Sequence, residues 1–396
     1  MISVEKAKKL LLKNTDALAP SIVDVVHSLG SILSENVISP VVLPPFDQSA
    51  MDGFAIRFSD HTQNNRIRVI GEVAAGKFFS KTLTSGQAVR IFTGAPVPSG
   101  ADTVIMQEKV SEKNGNLLIN DPGLFKGANV RKAGSQIKKG KKALAKGAII
   151  SPGGVGYLTA MGVTSVKTVS APRITIIVTG SELKKPGELL KKGQIHESNS
   201  YTLQAALQSI HLKAHKTILV EDKEQKVADT IKKAITGSDL VLITGGVSVG
   251  DYDFVGSSLE KLGVKNIFYK VKQKPGKPLF FGKYKNTLIF GLPGNPAAVL
   301  TCFYEYVYMV IRAMQGRKDT SLKKIVLPIA KDHPKKKGLA FFLKAQLSAN
   351  TVNPLDGQQS YILSSFAQAD SIIFLPEEAE NIKKGDQVET HLLPHI

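Results

Sequence analysis

The segment RITIIVTG, residues 173–180, decides the fold class. It is a continuous apolar run that ends in glycine, as expected for a strand buried on both faces of a parallel sheet. Helix-like and strand-like segments alternate after it. They are SYTLQAALQSI (200–210), KTILVED (216–222), KEQKVADTIKKAI (223–235), DLVLITGG (239–246), FVGSSLEKL (254–262) and NIFYKVK (266–272). This alternation predicts a doubly wound α/β domain.

The segments around this core predict a multidomain α/β plus β protein. Residues 3–13 predict a helix capped by Ser3, and PLFFGKYKNTLIFGL (278–292) predicts a hairpin before a long helix from Pro296. Short strands separated by Gly, Pro and Asn predict two further β regions. The predicted parts are an α/β substrate-binding domain (1–25 with 169–318), a linking mixed domain (26–45 with 141–168), a small β module (46–140) and a C-terminal β domain (319–396).

Composition and charge limit the classes of molecule that the protein is expected to bind. The chain has 396 residues, with 52 Lys and Arg against 33 Asp and Glu, which gives a net charge of +19. The cations are mainly scattered lysines, and no zinc-finger, RNP or basic-zipper pattern occurs. We therefore expect a solvated basic surface and an anionic small-molecule substrate, with no nucleic-acid partner.

Cysteine content and hydropathy indicate the compartment. Cys302 is the only cysteine, so no disulfide can form within one chain, which fits a reducing compartment. The N-terminal apolar run is too short for a signal peptide. The most apolar segment, residues 296–314, is interrupted by Glu305 and Arg312, so we interpret it as a buried helix. The protein is expected to be cytoplasmic, with no membrane partner.

Polar residues follow the predicted strands at their carboxyl ends, where open parallel sheets bind ligands. They include Thr179, Ser181, Glu182, Glu221, Asp222, Ser248, Asp251, Asp253, Lys270, Lys274, Lys277 and the turn GLPGNP (291–296). The glycine turns match neither a phosphate-binding Walker loop nor a dinucleotide fingerprint. Glycine N–H groups and lysines suit an oxyanion, and carboxylates suit a divalent cation. The edge therefore predicts a site for a phosphate-bearing substrate with a metal ion.

A second acidic stretch is PPFDQSAMDGFAI, residues 44–56. It places Asp47 and Asp52 on a Pro-bounded loop of a strongly basic chain. One interpretation is that these residues are turn formers only. The other is that one of the carboxylates belongs to a site.

Six motifs in order resemble the MoeA family of molybdopterin molybdenumtransferases, which also includes the E domain of gephyrin. They are FDQSAMDGFA, RIFTGAPVPSGADTVIMQE, TGSEL, TGGVSVGDYD, KPGKP and GLPGNP, and the resemblance covers essentially the whole chain. It implies insertion of molybdate into adenylylated molybdopterin with release of AMP, and we expect Mg2+ as the cofactor. It also implies an elongated homodimer, and we expect the molybdopterin adenylyltransferase as a further partner.

Site residues follow from the resemblance by position, with Gly245, Gly246, Ser248 and Lys277 added from the residues that follow the predicted strands. The catalytic residues would be Asp52, Glu182, Lys270 and Lys274. The substrate-binding residues would be Thr93, Gly245, Gly246, Ser248, Lys277, Pro293 and Pro296, and the metal ligands Asp222 and Asp253. The chain departs from the family pattern at Gln48, at Phe54 and at Ser135-Gln136, where an acid pair is usual.

Alternatives remain open for the function of the protein and for the roles of single residues. The chain could be a non-catalytic scaffold of the gephyrin type, or a molybdopterin adenylyltransferase. Pro293 and Pro296 could serve only to shape a turn, and Thr93 could be a hydroxyl satisfied at a strand end. His196 has no His or Cys partner at ligand spacing, which argues against a zinc site.

Overall fold

The computed structural model describes residues 1–63, 66–246 and 254–394. It divides into two compact units. Unit 1 consists of Met1–Ser21 with Val169–Ile396, and unit 2 of Ile22–Thr168. The finer division into four domains stays a prediction.

The strand predicted from RITIIVTG lies inside a mainly parallel sheet in unit 1. Ile174–Thr179 is buried along its length and pairs in parallel with Lys216–Val220 on one side and Leu240–Thr244 on the other. Six described strands form the sheet in the order Lys216–Val220, Ile174–Thr179, Leu240–Thr244, Thr287–Leu292, Phe280–Tyr284 and Lys265–Tyr269. The last two run antiparallel to their neighbours. The α/β fold class and the hairpin are confirmed.

Helices cover both faces of this sheet, which explains its apolar strands. Ile176 packs into one core cluster and Ile177 into a second. The described helices of unit 1 are Val4–Lys13, Asn199–Gln208, Glu224–Gly237, Phe254–Lys261, Pro296–Cys302, the π-helical turn Phe303–Val307, and Tyr308–Met314. The predicted cap is present, because Ser3 Oγ accepts the Lys6 N–H at 3.2 Å.

The apolar helix Pro296–Met314 is a core element. By length and composition it could cross a membrane, but 89% of it is buried inside the protein. Glu305, which interrupts the apolar run, is buried and accepts hydrogen bonds from Lys8 and His391, both at 2.6 Å. The prediction of a buried helix is confirmed.

A second sheet of unit 1 contains the C-terminal strands. Its described strands are Gln273–Lys274, Ala340–Leu347, Ser371–Leu375, Gln387–Leu392 and Lys324–Pro328 in spatial order, with Val352–Pro354 beside Ala340–Leu347. The strands predicted from FFLKAQL (341–347) and DSIIFL (370–375) are confirmed. Gln273–Lys274 pairs in parallel with Ala340–Leu347, so the loop after the α/β strand Lys265–Tyr269 joins this sheet. A short parallel pair, Leu183–Lys184 with Ile195–His196, completes the described strands of unit 1.

Unit 2 is mostly β structure, as its sequence predicts. Its main sheet contains, in spatial order, Thr103–Met106, Gly53–Ile56, Gln87–Ile91, Ile67–Val73, Asn116–Ile119 and Val110–Lys113. Shorter pairs join Pro20–Asp24 to Ser165–Val169, Val37–Ile38 to Lys142–Leu144, and Gln48–Ser49 to Val130–Arg131. Its described helices are Val25–His27, Phe58–Thr62, Gln107–Lys109 and Pro152–Ala160. Gly53 is required in its strand, because a Cβ there would lie 1.8 Å from the Ile105 carbonyl oxygen.

Candidate functional site

A cleft of about 900 Å³ lies in unit 1 at the carboxyl ends of the parallel strands. Thr179 is the last residue of its strand, and Gly245 and Pro293 directly follow two others. All three line the cleft. The structure thus places a cavity at the edge where the sequence predicted a ligand.

Six of the predicted site residues line this cleft: Glu182, Gly245, Lys274, Lys277, Pro293 and Pro296. Three other described residues of unit 1, Asp222, Gly246 and Lys270, lie outside the lining. Lys270 instead places its Nζ over the ring of Tyr269, 5.0 Å from the centroid. Ser248, Asp251 and Asp253 fall outside the described residues. The roles assigned to all of these residues stay predictions.

Two glycines keep space open beside a buried hydroxyl. Gly245 and Gly246 have φ of +88° and +58°, in the left-handed region that disfavours side chains. A Cβ on Gly246 would lie 3.0 Å from Thr179 Oγ1 and 4.0 Å from Asp222 Oδ1. Thr179 Oγ1 is buried and has no hydrogen-bond partner in the described part of the chain. A hydroxyl in this state is available to a ligand.

The turn after Thr287–Leu292 is fixed by hydrogen bonds to its neighbours. Thr244 Oγ1 donates to the Pro293 carbonyl at 2.8 Å, and Asn199 Nδ2 donates to the Gly294 carbonyl at 2.8 Å. Asn199 Oδ1 is buried, and no described group donates to it. Pro296 begins the next helix, where its missing N–H is not needed. The turn backbone is therefore fixed, and Asn199, another residue that lines the cleft, carries a second buried and unpaired oxygen.

Lys274 and Lys277 supply positive charge to the cleft. Both are exposed, whereas Pro275 and Gly276 between them are buried. The Lys274 Nζ lies 5.5 Å from the centroid of the Phe341 ring. Among the described residues no carboxylate forms an ion pair with either lysine. Their charges are thus available to an anion.

The connection between the strands Val352–Pro354 and Ser371–Leu375 supplies one wall of the cleft, which the sequence did not predict. Ser360 and Tyr361 line the cleft, and Tyr361 is 65% exposed. The Ser360 carbonyl accepts the N–H groups of Ala297 and Ala298 at 3.1 and 3.2 Å. Asn295 Nδ2 donates to Ser360 Oγ at 2.9 Å. Nothing in the local pattern of GQQSYILSSF, residues 357–366, indicates that it contacts a helix more than sixty residues earlier.

In unit 2, Asp52 and Thr93, both predicted site residues, contact each other. Asp52 Oδ1 accepts the Thr93 N–H and the Thr93 hydroxyl, both at 2.8 Å. The hydrogen bond from the Thr93 N–H, followed by that from its hydroxyl, lowers the pKa of Asp52. Asp52 is therefore an ionised carboxylate with one oxygen engaged and the second left for another partner.

Metal-binding side chains do not cluster in the described ranges. Among residues 1–63, 66–246 and 254–394, no three His, Cys, Asp or Glu side chains are grouped closely enough to hold a metal ion. The cleft instead offers oxygen atoms of Glu182, Thr179 and Asn199, with Asp222 beside Gly246. Oxygen donors of this kind suit a hard cation such as Mg2+ rather than zinc.

Comparison with known proteins identifies the family along the whole chain. Residues 2–162 match the family model described as the MoeA N-terminal region (domain I and II), residues 175–313 a probable molybdopterin binding domain, and residues 326–393 the MoeA C-terminal region (domain IV). The molybdopterin molybdenumtransferase of Haemophilus influenzae is 33% identical over 403 residues, covering 100% of both chains. That of a Nostoc species is 39% identical over 306 residues, covering 74% of this chain and 69% of its own.

A solved structure supports the same assignment. The molybdopterin biosynthesis MoeA protein from Pyrococcus horikoshii matches with a TM-score of 0.85 and 31% identity, covering 100% of both chains. Sequence motifs, family models and fold agree from the N-terminal helix to the C-terminal sheet. The chain belongs to the MoeA family.

Proposed function

We propose that this protein is a molybdopterin molybdenumtransferase, which inserts molybdate into adenylylated molybdopterin and releases AMP. The proposal rests mainly on the cleft of unit 1. Lys274, Lys277 and Gly245 line this cleft at the carboxyl edge of the sheet. Full-length kinship with proteins named for this activity supports the choice of substrate. The two substrates are both anions, in agreement with the free cationic groups of the cleft.

The lysines and the glycine turn would bind the anionic groups. Each ammonium is a compact point charge that can face a tetrahedral oxyanion or a phosphate. The positive φ values of Gly245 and Gly246 allow the backbone to approach a ligand without a side chain in between. Thr179 and Asn199 add buried oxygens that need a partner. These groups would hold molybdate beside the substrate's phosphates and stabilise charge that develops there.

The carboxylates fit a divalent cation at the pyrophosphate. Glu182 lines the cleft, and Asp222 Oδ1 faces the space that Gly246 leaves open. When bound there, Mg2+ would neutralise negative charge on the pyrophosphate as AMP leaves. We propose Glu182 and Asp222 as its holders, with Asp253 as a further ligand. Asp52 would act as a charged carboxylate on the substrate, and Lys270 as an additional cation.

Our proposals for the oligomeric state and the cellular location rest on the family resemblance and not on the geometry of the cleft. We propose a cytoplasmic homodimer that receives adenylylated molybdopterin from the molybdopterin adenylyltransferase. The single, buried Cys302 is compatible with a reducing compartment.

The direct test supplies the purified protein with adenylylated molybdopterin, Mg2+ and molybdate, and measures AMP by chromatography. We expect AMP release that requires molybdate and is not supported by sulfate, an oxyanion of equal charge. Omission of Mg2+ should slow the release.

The same assay separates the alternatives. AMP that never appears, despite binding of the substrate, would favour a scaffold. Conversion of molybdopterin and ATP into adenylylated molybdopterin would favour an adenylyltransferase. Either result would overturn the proposal.

A further inference from the structure

Lys274 and Lys277 lie at the two ends of one short turn, residues 274–277, which we call the lysine turn. Its backbone is buried at Pro275 and Gly276, although the lysine side chains on either side are exposed. Buried backbone carbonyls need hydrogen-bond donors. Among the described residues no backbone N–H donates to these two carbonyls, so side chains have to do so.

Gln273 supplies both donors. It is 1% exposed, and its Nε2 donates to the carbonyls of Pro275 and Gly276, each at 3.1 Å. An amide NH2 group has two hydrogens, one for each carbonyl. An apolar side chain of the same size could fill the space, but it would leave the Pro275 carbonyl unpaired and the Gly276 carbonyl with only the weak donor Cys302 Sγ at 3.9 Å.

Tyr306 holds Gln273 from the other side. The Tyr306 hydroxyl donates to Gln273 Oε1, and both side chains are fully buried. Tyr306 belongs to the π-helical turn Phe303–Val307, which interrupts an otherwise α-helical segment. Burial raises the pKa of Tyr306 well above its ordinary value, so the hydroxyl stays protonated and can donate. π-helical turns occur often where a helix serves a functional site.

Gly276 sits tightly on the helix beneath the turn. A Cβ at Gly276 would lie 2.5 Å from Cys302 Sγ and 3.0 Å from Gln273 Nε2. Gly276 also has φ of +83°. The turn can therefore occupy only a narrow range of positions while Gln273 and the helix stay in place.

We propose that Gln273, fixed by Tyr306, is a positioning residue that sets where Lys274 and Lys277 present their ammonium groups to an oxyanion or phosphate in the cleft. Neither Gln273 nor Tyr306 needs to touch the substrate through its polar atoms, because these are used within the protein. The inference rests on the proposed function for its kinetic consequence, and on contacts within unit 1 for its structural consequence.

The structural consequence can be measured without any substrate. Cys302 is the only cysteine of the chain, it is buried, and it lies under Gly276. Its reaction with a thiol reagent under native conditions therefore reports how often the lysine turn lifts from the helix. Burial raises the pKa of the Cys302 thiol, so labelling of the closed state is slow. The hydrogen bond from Gln273 Nε2 at 3.7 Å lowers this pKa, so its loss in Gln273→Met would by itself slow labelling, and faster labelling has to come from opening.

The test compares three variants with the unmodified protein. Gln273→Met keeps the volume of the side chain and removes its donors and acceptor. Tyr306→Phe removes only the hydroxyl. Thr287→Val is the matched control, because Thr287 Oγ1 also donates to two buried carbonyls, those of Ile235 at 2.8 Å and Ser238 at 2.9 Å. Labelling of Cys302 and the global free energy of unfolding are measured for each.

We expect Gln273→Met to label about tenfold faster than Thr287→Val at equal global stability, as the loss of about 1.4 kcal/mol of local hydrogen bonding implies. In the AMP assay, Gln273→Met should raise the KM for molybdate by about tenfold and change kcat less, whereas Thr287→Val should leave both unchanged. Tyr306→Phe should have a smaller effect in the same direction, and it provides the test if Gln273→Met does not fold.

The positioning role would be overturned if Gln273→Met labels no faster than Thr287→Val. If only Tyr306→Phe folds, equal labelling of Tyr306→Phe and Thr287→Val would overturn it. Faster labelling with an unchanged KM for molybdate would also overturn it, because the turn would then have moved without affecting the anion. If the unmodified protein releases no AMP with molybdate, the proposed function fails, while the labelling comparison still decides whether Gln273 holds the turn.

Discussion

Asp47 and Asp52 are five residues apart in one loop, yet their contacts differ. Asp47 accepts hydrogen bonds from Lys132 Nζ at 2.7 Å and from the Ala133 N–H at 2.8 Å. Its carboxylate therefore ties the loop to a neighbouring segment. Asp52 binds only Thr93 through one oxygen, so its second oxygen is not committed to a described residue. The turn-former interpretation suits Asp47 better than Asp52.

Asp52→Asn should preserve the fold and lower activity sharply. Asn keeps the Oδ1 atom that accepts both hydrogen bonds from Thr93, but it loses the negative charge. We expect a melting temperature close to that of the unmodified protein and AMP release reduced by at least about tenfold. Asp47→Asn is the control: it should lose about 1 kcal/mol or less from its exposed ion pair and keep its activity. Full activity of Asp52→Asn would restore the turn-former interpretation for both residues.

Lys274→Ala should weaken the capture of molybdate without affecting folding. Lys274 is exposed, and a solvated lysine contributes little to stability. We expect the KM for molybdate to rise by about tenfold or more, measured from AMP release. Lys272→Ala is a close control, because Lys272 does not line the cleft and pairs with Glu377 at 3.2 Å. A normal dependence on molybdate in Lys274→Ala would remove this lysine from the site.

A buried network of charged side chains joins the first helix, the π-helical turn and a C-terminal strand. Glu305 accepts from Lys8 and from His391 Nδ1, both at 2.6 Å, and His391 Nε2 contacts Glu389 at 2.8 Å. Burial alone would raise the pKa of Glu305, but the charges of Lys8 and His391 hold it at about 2. Burial alone would lower the pKa of His391, but Glu305 and Glu389 raise it above its ordinary value.

The network makes stability depend on pH in a direction that can be worked out. His391 has a folded pKa above its unfolded value of about 6.5, so its contribution is fully present below about pH 6.5 and is lost as the pH rises through the folded pKa. His391→Gln carries no charge at any pH. The difference in unfolding free energy between the two proteins should therefore be largest at about pH 6 and smaller at about pH 9. A difference that does not change with pH would show that His391 is not charged in the folded protein.

Lys344 anchors the wall of the cleft that comes from the C-terminal sheet. Its side chain is buried, and its Nζ donates to the carbonyls of Gly357 at 2.6 Å and Ile362 at 2.9 Å. Ser360 and Tyr361 lie between these two points. The Lys344 ammonium group thus holds this wall together with the contacts of Ser360.

Lys344→Met should loosen residues 357–362 more than the rest of the protein. The two carbonyls lose their charged donor and keep only the Ser365 hydroxyl, so hydrogen exchange in this segment should become at least about tenfold faster. Lys335→Met is the matched control, since buried Lys335 also donates to backbone carbonyls, including that of Ala379 at 2.8 Å. Unchanged exchange at 357–362 in Lys344→Met would show that the contacts of Ser360 alone hold the segment.

Local patterns in the sequence predict the parallel sheet but not every residue that lines the cleft. Largely apolar runs such as Ile174–Thr179 reveal a buried strand because burial on both faces leaves no exposed position. The pairing of Gln273–Lys274 with Ala340–Leu347 has no such signal, since it joins distant segments through backbone groups that every residue carries. Ser360 and Tyr361 were missed as site residues for the same reason. Asn199 could have been found, because it follows a loop at the carboxyl edge of the sheet.

The expected homodimer can be tested on the intact protein. The family resemblance implies two subunits, and sedimentation in dilute buffer should give a single species of about twice the chain mass of 42.6 kDa. A monodisperse monomer with full AMP-releasing activity would exclude the dimer as a requirement.

In the proposed function, this protein couples the loss of AMP to the gain of molybdenum. The most direct measurement incubates it with adenylylated molybdopterin, Mg2+ and molybdate and determines, in the same samples over time, AMP by chromatography and pterin-bound molybdenum by elemental analysis. We expect both products to rise together, in about one-to-one ratio, and neither to form without molybdate. AMP released without molybdate, or without molybdenum appearing on the pterin, would contradict it.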